Sequence, residues 1–169
     1  MGITKSHKRV AGGKIMKYAE LKKKQQDEVN AFPLGFAFGD KQFEEMMSKW
    51  GLDAKKDEDL KKIAYLGVGG TYIRKSDIPA WNEMSERHLK ELEDFRKDEK
   101  NFIDGLVYQL HNHEYGYSRS WDDVEYSLEA LGIDPKDLEK DKELSRKVQK
   151  AIKQCVKEYN EMEDDNEDY

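Results

Sequence analysis

The sequence predicts an α+β protein: a small antiparallel sheet of two to three strands packed by several helices, with a helical C-terminal half. Three observations predict it. Charged residues are 39% of the 169-residue chain and hydrophobic residues 37%, a balance that favours amphipathic helices with one apolar stripe and a wide solvated face. Two short β-prone runs flank a glycine cluster in the manner of a hairpin. From residue 77 onward, apolar residues recur at spacings of three and four, the helical period.

Taken in chain order, residues 1–15 read as a flexible basic tail. They carry Lys5, Lys8, Arg9 and Lys14, no acid, and a loosening Gly12-Gly13 pair. Regular patterning begins at Met16, an alternative start, and predicts a surface helix to Asn30 around Tyr18, Leu21 and Val29. The run 32–38 (FPLGFAF) is too short for a buried helix, and its phenylalanines with flanking Gly39 favour a strand. Asp40 is the expected N-cap of the next helix, its carboxylate placed to accept first-turn N–H groups. That helix, Lys41 to Trp50, shows Phe43, Met46, Met47 and Trp50 at helical spacing, and Gly51 suits the left-handed position after it. Residues 53–61 are polar and read as a loop.

The strands 62–67 (KIAYLG) and 70–75 (GTYIRK) follow, with Gly67, Gly69 and Gly70 supplying a turn of positive φ. A long helix is expected from Asp77 to Lys97, with Pro79 in its first turn and Ile78, Trp81, Ser85, His88, Leu92 and Phe95 along one stripe. The next helix runs from Asn101 to Tyr115 and ends at Gly116. Ser120 opens another, with Asp123 as an acidic variant of a capping box, and Gly132 stops it. Asp134-Pro135 opens the last helix, where Leu144, Val148, Ile152, Cys155, Tyr159 and Met162 form the inward stripe. The organisation read from these signals is a basic tail (1–15), a single α+β domain (16–160) and a disordered acidic tail (161–169, EMEDDNEDY).

Composition bounds the function. A chain of this length buries about 70% of the surface its unfolded form exposes, so one core is feasible without disulfides or metals. Cys155 is the lone cysteine and cannot form an internal disulfide, so an oxidising compartment is not indicated. No stretch approaches the roughly 18 apolar residues of a membrane span, and no secretory h-region follows the first charges. The expected location is the cytoplasm, without membrane association. The net charge of −6 makes the folded body a poor trap for nucleic acid.

Few constellations carry chemistry. His111-Asn112-His113-Glu114-Tyr115 is the densest. On a helix His111 and Glu114 would share a face, and His88 could join from another helix, giving His88, His111, His113 and Glu114 as the metal ligands of a hydrolase. The competing reading is a helix end whose side chains satisfy backbone carbonyls and each other. Gly67-Val68-Gly69-Gly70 lacks the Gly-Lys-Ser/Thr ending of a phosphate loop and reads as a turn. Cys155 on an apolar stripe reads as a small buried hydrophobe. Met1-Gly2-Ile3-Thr4-Lys5-Ser6 matches the N-myristoylation pattern, with Lys8-Arg9 as a basic second signal; the match is short. No cofactor is expected.

The segments MKYAELKKKQQDEVNAFPLGFAFGDKQFEEMM, KIAYLGVGGTYIRKSD, LVYQLHNHEYGYSRSWDDVEYSLEALGI and DKELSRKVQKAIKQC resemble a family of unknown function, small proteins encoded by phages and mobile elements of gut bacteria. The resemblance spans Met16 to Tyr159. Its landmarks are Phe36-Ala37-Phe38, Gln42 to Glu45, the glycine hairpin and Asn112-His113-Glu114-Tyr115. It implies a habitat, the cytoplasm of a host bacterial cell, and no activity. With no convincing catalytic set, the expected function is non-enzymatic: binding of a host protein, in its sharpest form to inhibit a defence system such as CRISPR. Tyr65, Tyr72, Trp81, Tyr117 and Trp121 are the candidate contacts, since Tyr and Trp are favoured interface anchors; core packing is the competing role for each. Two alternatives stand beside this one, the metal-dependent hydrolase above and a weak nucleic-acid binder led by the basic N-terminal arm.

Overall fold

The structure, a computed structural model, describes residues 17–167 of the chain, with side chains as far as Glu163. The basic segment 1–15, Met16 and the myristoylation pattern lie outside the described residues. The fold is α+β: a three-stranded antiparallel sheet and eight α-helices among the described residues, with a helical C-terminal half. The chain divides into two compact units. Gln26–His88 form one, here the sheet unit; residues up to Gln25 together with Leu89 onward form the other, the helical unit.

The sheet unit contains β1 (Gly35–Phe36), α2 (Asp40–Lys49), α3 (Asp57–Leu60), β2 (Ile63–Tyr65) and β3 (Thr71–Arg74), together with the end of α1 (Tyr18–Ala31) and the start of α4 (Ile78–Arg96). The strand order is β1-β3-β2, all antiparallel, with Tyr65 and Gly35 both opposite Tyr72. Gly67, Gly69 and Gly70 all have positive φ in the β2–β3 turn, as the glycine cluster predicts. Ala37, Met46, Met47 and Ile63 form its buried core, with Phe43, Trp50 and Tyr72 packed against them.

Here the structure departs from three sequence expectations. The run 32–38 pairs as a strand only at Gly35 and Phe36. Pro33 has no N–H to give a ladder, Leu34 N–H turns back to Phe32 C=O at 2.7 Å, and Phe38 N–H is taken by the Gln42 side chain at 2.8 Å. Asp40 is not the cap of α2. Extended Gly39 holds that place without a side chain, and Asp40 lies in the first turn, where its charge opposes the positive helix end. The polar stretch 53–61 is not all loop, because it contains α3, and Asp59 accepts from Asp53 N–H at 2.9 Å to close the segment.

The helical unit is built on α5 (Glu99–Asn112), with α6 (Tyr115–Ser118), α7 (Trp121–Ala130), a 3-10 turn (Pro135–Glu139) and α8 (Lys142–Glu167) around it. Phe102, Leu106, Leu110, Val124, Leu128 and Leu131 form its centre, with Val148, Ala151 and Cys155 of α8 against them. Gly105 lets α5 be approached closely: a Cβ there would lie 3.3 Å from Leu131, Phe95 and Tyr18. Buried Gln109 is satisfied by donating to the Tyr18 hydroxyl at 2.5 Å.

Three helix ends also differ from expectation. α5 stops at Asn112, and Gly116 lies buried inside α6. Ser120 does cap α7, accepting from Asp122 N–H, but Asp123 completes no box, since it accepts the Ser118 hydroxyl instead. Asp134-Pro135 opens the 3-10 turn; α8 begins at Lys142, with Asp141 accepting from Leu144 N–H at 2.9 Å. The acidic stretch from Glu161 belongs to α8 as far as Glu167. Among the described residues no helix is long and apolar enough to cross a membrane.

Candidate functional site

Each imidazole of the sequence-derived metal set has its own local partner. His88 Nε2 lies 2.7 Å from Glu28 Oε2, which also takes Arg87 at 2.5 Å. His111 Nε2 lies 2.8 Å from Glu158 Oε2 on α8, and its Nδ1 is 3.8 Å from Cys155 Sγ. The His113 ring packs near Tyr126, 6.0 Å between centroids. Glu114 does not share a helix face with His111, because α5 has ended and Glu114 takes a left-handed φ of 58°. Among the described residues, no three His, Cys, Asp or Glu side chains converge as metal ligands.

Cys155, His111 and Glu158 do line up in the order of a nucleophile, a base and an orienting acid. The thiol is fully buried, however. Burial first, and then the Glu158 charge, push its pKa up. A raised, enclosed thiol is a poor nucleophile, so the three groups read as a satisfied helix–helix contact.

The five aromatic candidates fall into different environments. Tyr72 packs between Phe43 and Tyr65, and Trp81 packs edge-on against Phe32. Tyr65, Tyr117 and Trp121 are exposed, and the Trp121 indole N–H donates to Glu125 at 3.0 Å. The rings of the sheet unit with the greatest fractional exposure lie outside that set: Phe36 is 58% exposed and Phe38 77%.

Those two rings flank an open strand edge. Ala37 N–H donates to Gly70 C=O at 2.9 Å. Alternation then turns the backbone groups of Ala37 and Gly35 toward β3, and those of Phe36 the other way. Thr71, opposite Phe36, spends its C=O on Leu66 N–H of the hairpin, so it is not the partner Phe36 would need. Because β1 ends the sheet, the Phe36 N–H and C=O face outward.

Beside this edge is a groove of about 370 Å³, lined by Leu34, Phe36, Phe38, Met46, Lys49 and Trp50. Its floor depends on Gly35, where any Cβ would overlap the Met46 sulfur and the Trp50 ring. Gln42 and Glu45 complete the rim. Three landmarks are thus joined here, two of them neighbours in sequence and the third about thirty residues on. The FAF segment bonds to the glycine hairpin through Ala37 and to the QFEE helix start through Phe38 and Gln42.

A family model matches residues 17–154. The chain belongs to the DUF7659 family, a family of unknown function. The β1 edge and its groove lie wholly inside the DUF7659 match, whereas Glu158 and the other α8 residues after Gln154 lie beyond it. No curated protein and no solved structure matches the chain.

Proposed function

We propose that this protein works by binding another protein, and that the docking element of its partner is an extended segment added to β1. One observation carries this reading: an outward-facing strand edge at Phe36 adjoins a groove with Met46 and Trp50 in its lining, whose rim rings Phe36 and Phe38 are left in water. Strand addition uses main-chain hydrogen bonds for affinity and pockets for alternate side chains for specificity. The Phe36 N–H and C=O would supply the first, and the groove between Phe38 and Trp50 the second. Rings exposed to this degree are stabilised by being covered, at about 25 cal/mol per Å² of apolar surface removed from water.

The setting we propose is that of a phage or mobile-element accessory protein in the cytoplasm of a bacterial host. Its target would be a host protein, with a defence component such as a CRISPR effector as the sharpest form. The resemblance of the FAF, QFEE, hairpin and NHEY segments supports that setting.

Affinity purification from the host is the first test, with wild-type protein beside Phe36→Pro and Phe38→Asp. Proline is tolerated on an edge strand where the N–H faces outward. Phe36→Pro should therefore keep the fold, remove the docking donor and abolish recovery of a stoichiometric partner. A partner retained equally by all three proteins would refute the strand-addition reading; no partner at all would refute binding.

A further inference from the structure

The helical unit carries a second groove, with a different chemistry, and its inference does not rest on the β1 edge. An open cleft of about 1010 Å³ lies between α6 and the end of α8, lined by His111, Glu114, Tyr117, Glu158, Tyr159 and Met162. Tyr117 is 80% exposed and Met162 51%. The Tyr117 ring is placed by an uncommon piece of backbone. α6 is bracketed by two non-glycine residues at positive φ, Glu114 (58°) and Arg119 (53°). Gly116, between them, seats the turn on α8, since a Cβ there would overlap the Tyr159 ring.

The charges of the cleft are unequally matched. Glu158 is committed on both oxygens, to His111 at 2.8 Å and to Gln154 at 2.8 Å. Among the described residues Glu161 has only an exposed contact with Lys157 at 3.7 Å, a kind of pair worth little. Glu163 accepts the Tyr159 hydroxyl at 2.7 Å. Among the described residues Glu114 has no paired cation. One guanidinium is already present: Arg119 lies over the Tyr159 ring, 5.6 Å from its centroid. It shows which kind of group this wall accepts, and it leaves Tyr117 and Glu114 uncovered.

We infer that this cleft takes an arginine side chain from a partner protein, the guanidinium stacked on Tyr117 and paired with Glu114. The observations select this occupant over others. The surplus of carboxylates repels phosphates and acidic segments. Among the described residues no three ligands converge for a divalent cation. A planar guanidinium can both stack on a ring and bridge to a carboxylate in a fixed fork, which a lysine ammonium does not. Arg119 on Tyr159 repeats half of that arrangement within the chain.

The probe is the peptide acetyl-Ala-Ala-Arg-Ala-Ala-amide, titrated into the full-length protein and followed by ¹H–¹⁵N NMR. Versions with lysine, and with neutral citrulline, replace the arginine as controls. Shifts should concentrate on residues 114–119 and 158–162, with binding roughly tenfold tighter for arginine than for citrulline. Glu114→Gln and Tyr117→Ala change exposed side chains and should each weaken binding while leaving the free spectrum folded. Equal binding of the citrulline peptide would overturn the inference. So would shifts spread over the acidic surface at large, or unchanged binding by both variants. If Lys8→Gln/Arg9→Gln moves the 114–119 resonances with no peptide present, the chain's own arm is the occupant and the partner-derived arginine is ruled out. Phe36→Pro should leave every one of these signals in place, which separates this test from that of the strand edge.

Discussion

The two units differ in how much apolar side chain they enclose. In the helical unit Leu106, Leu110, Val124, Leu128 and Leu131 are fully enclosed, and α5 packs against α6, α7 and α8. In the sheet unit the enclosed set is smaller, Ala37, Met46, Met47, Ile63 and Ile73, while Phe36, Phe38, Tyr65 and Val68 face water. A stripe repeated along four helices can be buried all round, whereas a three-stranded sheet with two-residue β1 has too little area to cover its own rings. Both units leave large apolar side chains in water, Tyr117, Trp121 and Tyr126 of the helical unit among them, so the contrast lies in how much each encloses.

Substitutions can break that comparison, and the largest effect belongs to the helical core. Leu128→Ala should destabilise the protein by about 2–5 kcal/mol, the cost of lost burial plus a residual cavity, read by denaturant unfolding. Next is Gly116→Ala, which drives a methyl into the Tyr159 ring and should cost about 1–3 kcal/mol as an overpacking change. A tolerated Gly116→Ala would mean that α6 is not held on α8 as described.

Acid should then sharpen the contrast. In the sheet unit, hydrogen bonds from Arg87 first and His88 second hold the Glu28 carboxyl down to about 2, from an ordinary 4.5. Its contribution is therefore present above the unfolded value and is lost as pH falls from 4.5 toward 2. Glu99 of the helical unit, held by Arg146 and then Lys150, is likewise at about 2. Glu28→Gln and Glu99→Gln should each flatten stability against pH across that window. An unaltered acid limb in a titration of unfolding would show that the pairs do not persist in solution. The smallest effect is expected at the exposed rings: Phe38→Asp should change stability by no more than about 0.5 kcal/mol, as surface substitutions do, yet reduce binding of a hydrophobic dye.

Features written in local chemistry were legible. The positive-φ turn follows from Gly67, Gly69 and Gly70, the end of α2 from Gly51, and the start of α7 from Ser120. The α+β class followed from the same signals. The left-handed Glu114 and Arg119 were not legible, because residues with a Cβ carry no mark of that conformation. The merged reading of α5 through Tyr115 failed at that point. His111 with Glu158 was hidden for another reason: the two are 47 positions apart, and only the packing of α8 on α5 joins them. For the β1 edge the pattern misled. Phe36 and Phe38 look like core residues in an apolar run, and it takes the local bonds of Leu34 and Phe38 to show that the run scarcely enters the sheet.

The brevity of β1 sets how any guest could be recognised. A rail of two residues offers an incoming chain a single outward N–H and C=O, far short of the six- or seven-residue stretch from which fibril zippers are built. Self-templating is correspondingly starved. Identity must then be read from what the visitor inserts beside Trp50 and Phe38, so that a change of one side chain in the visitor would matter more than a change in its length.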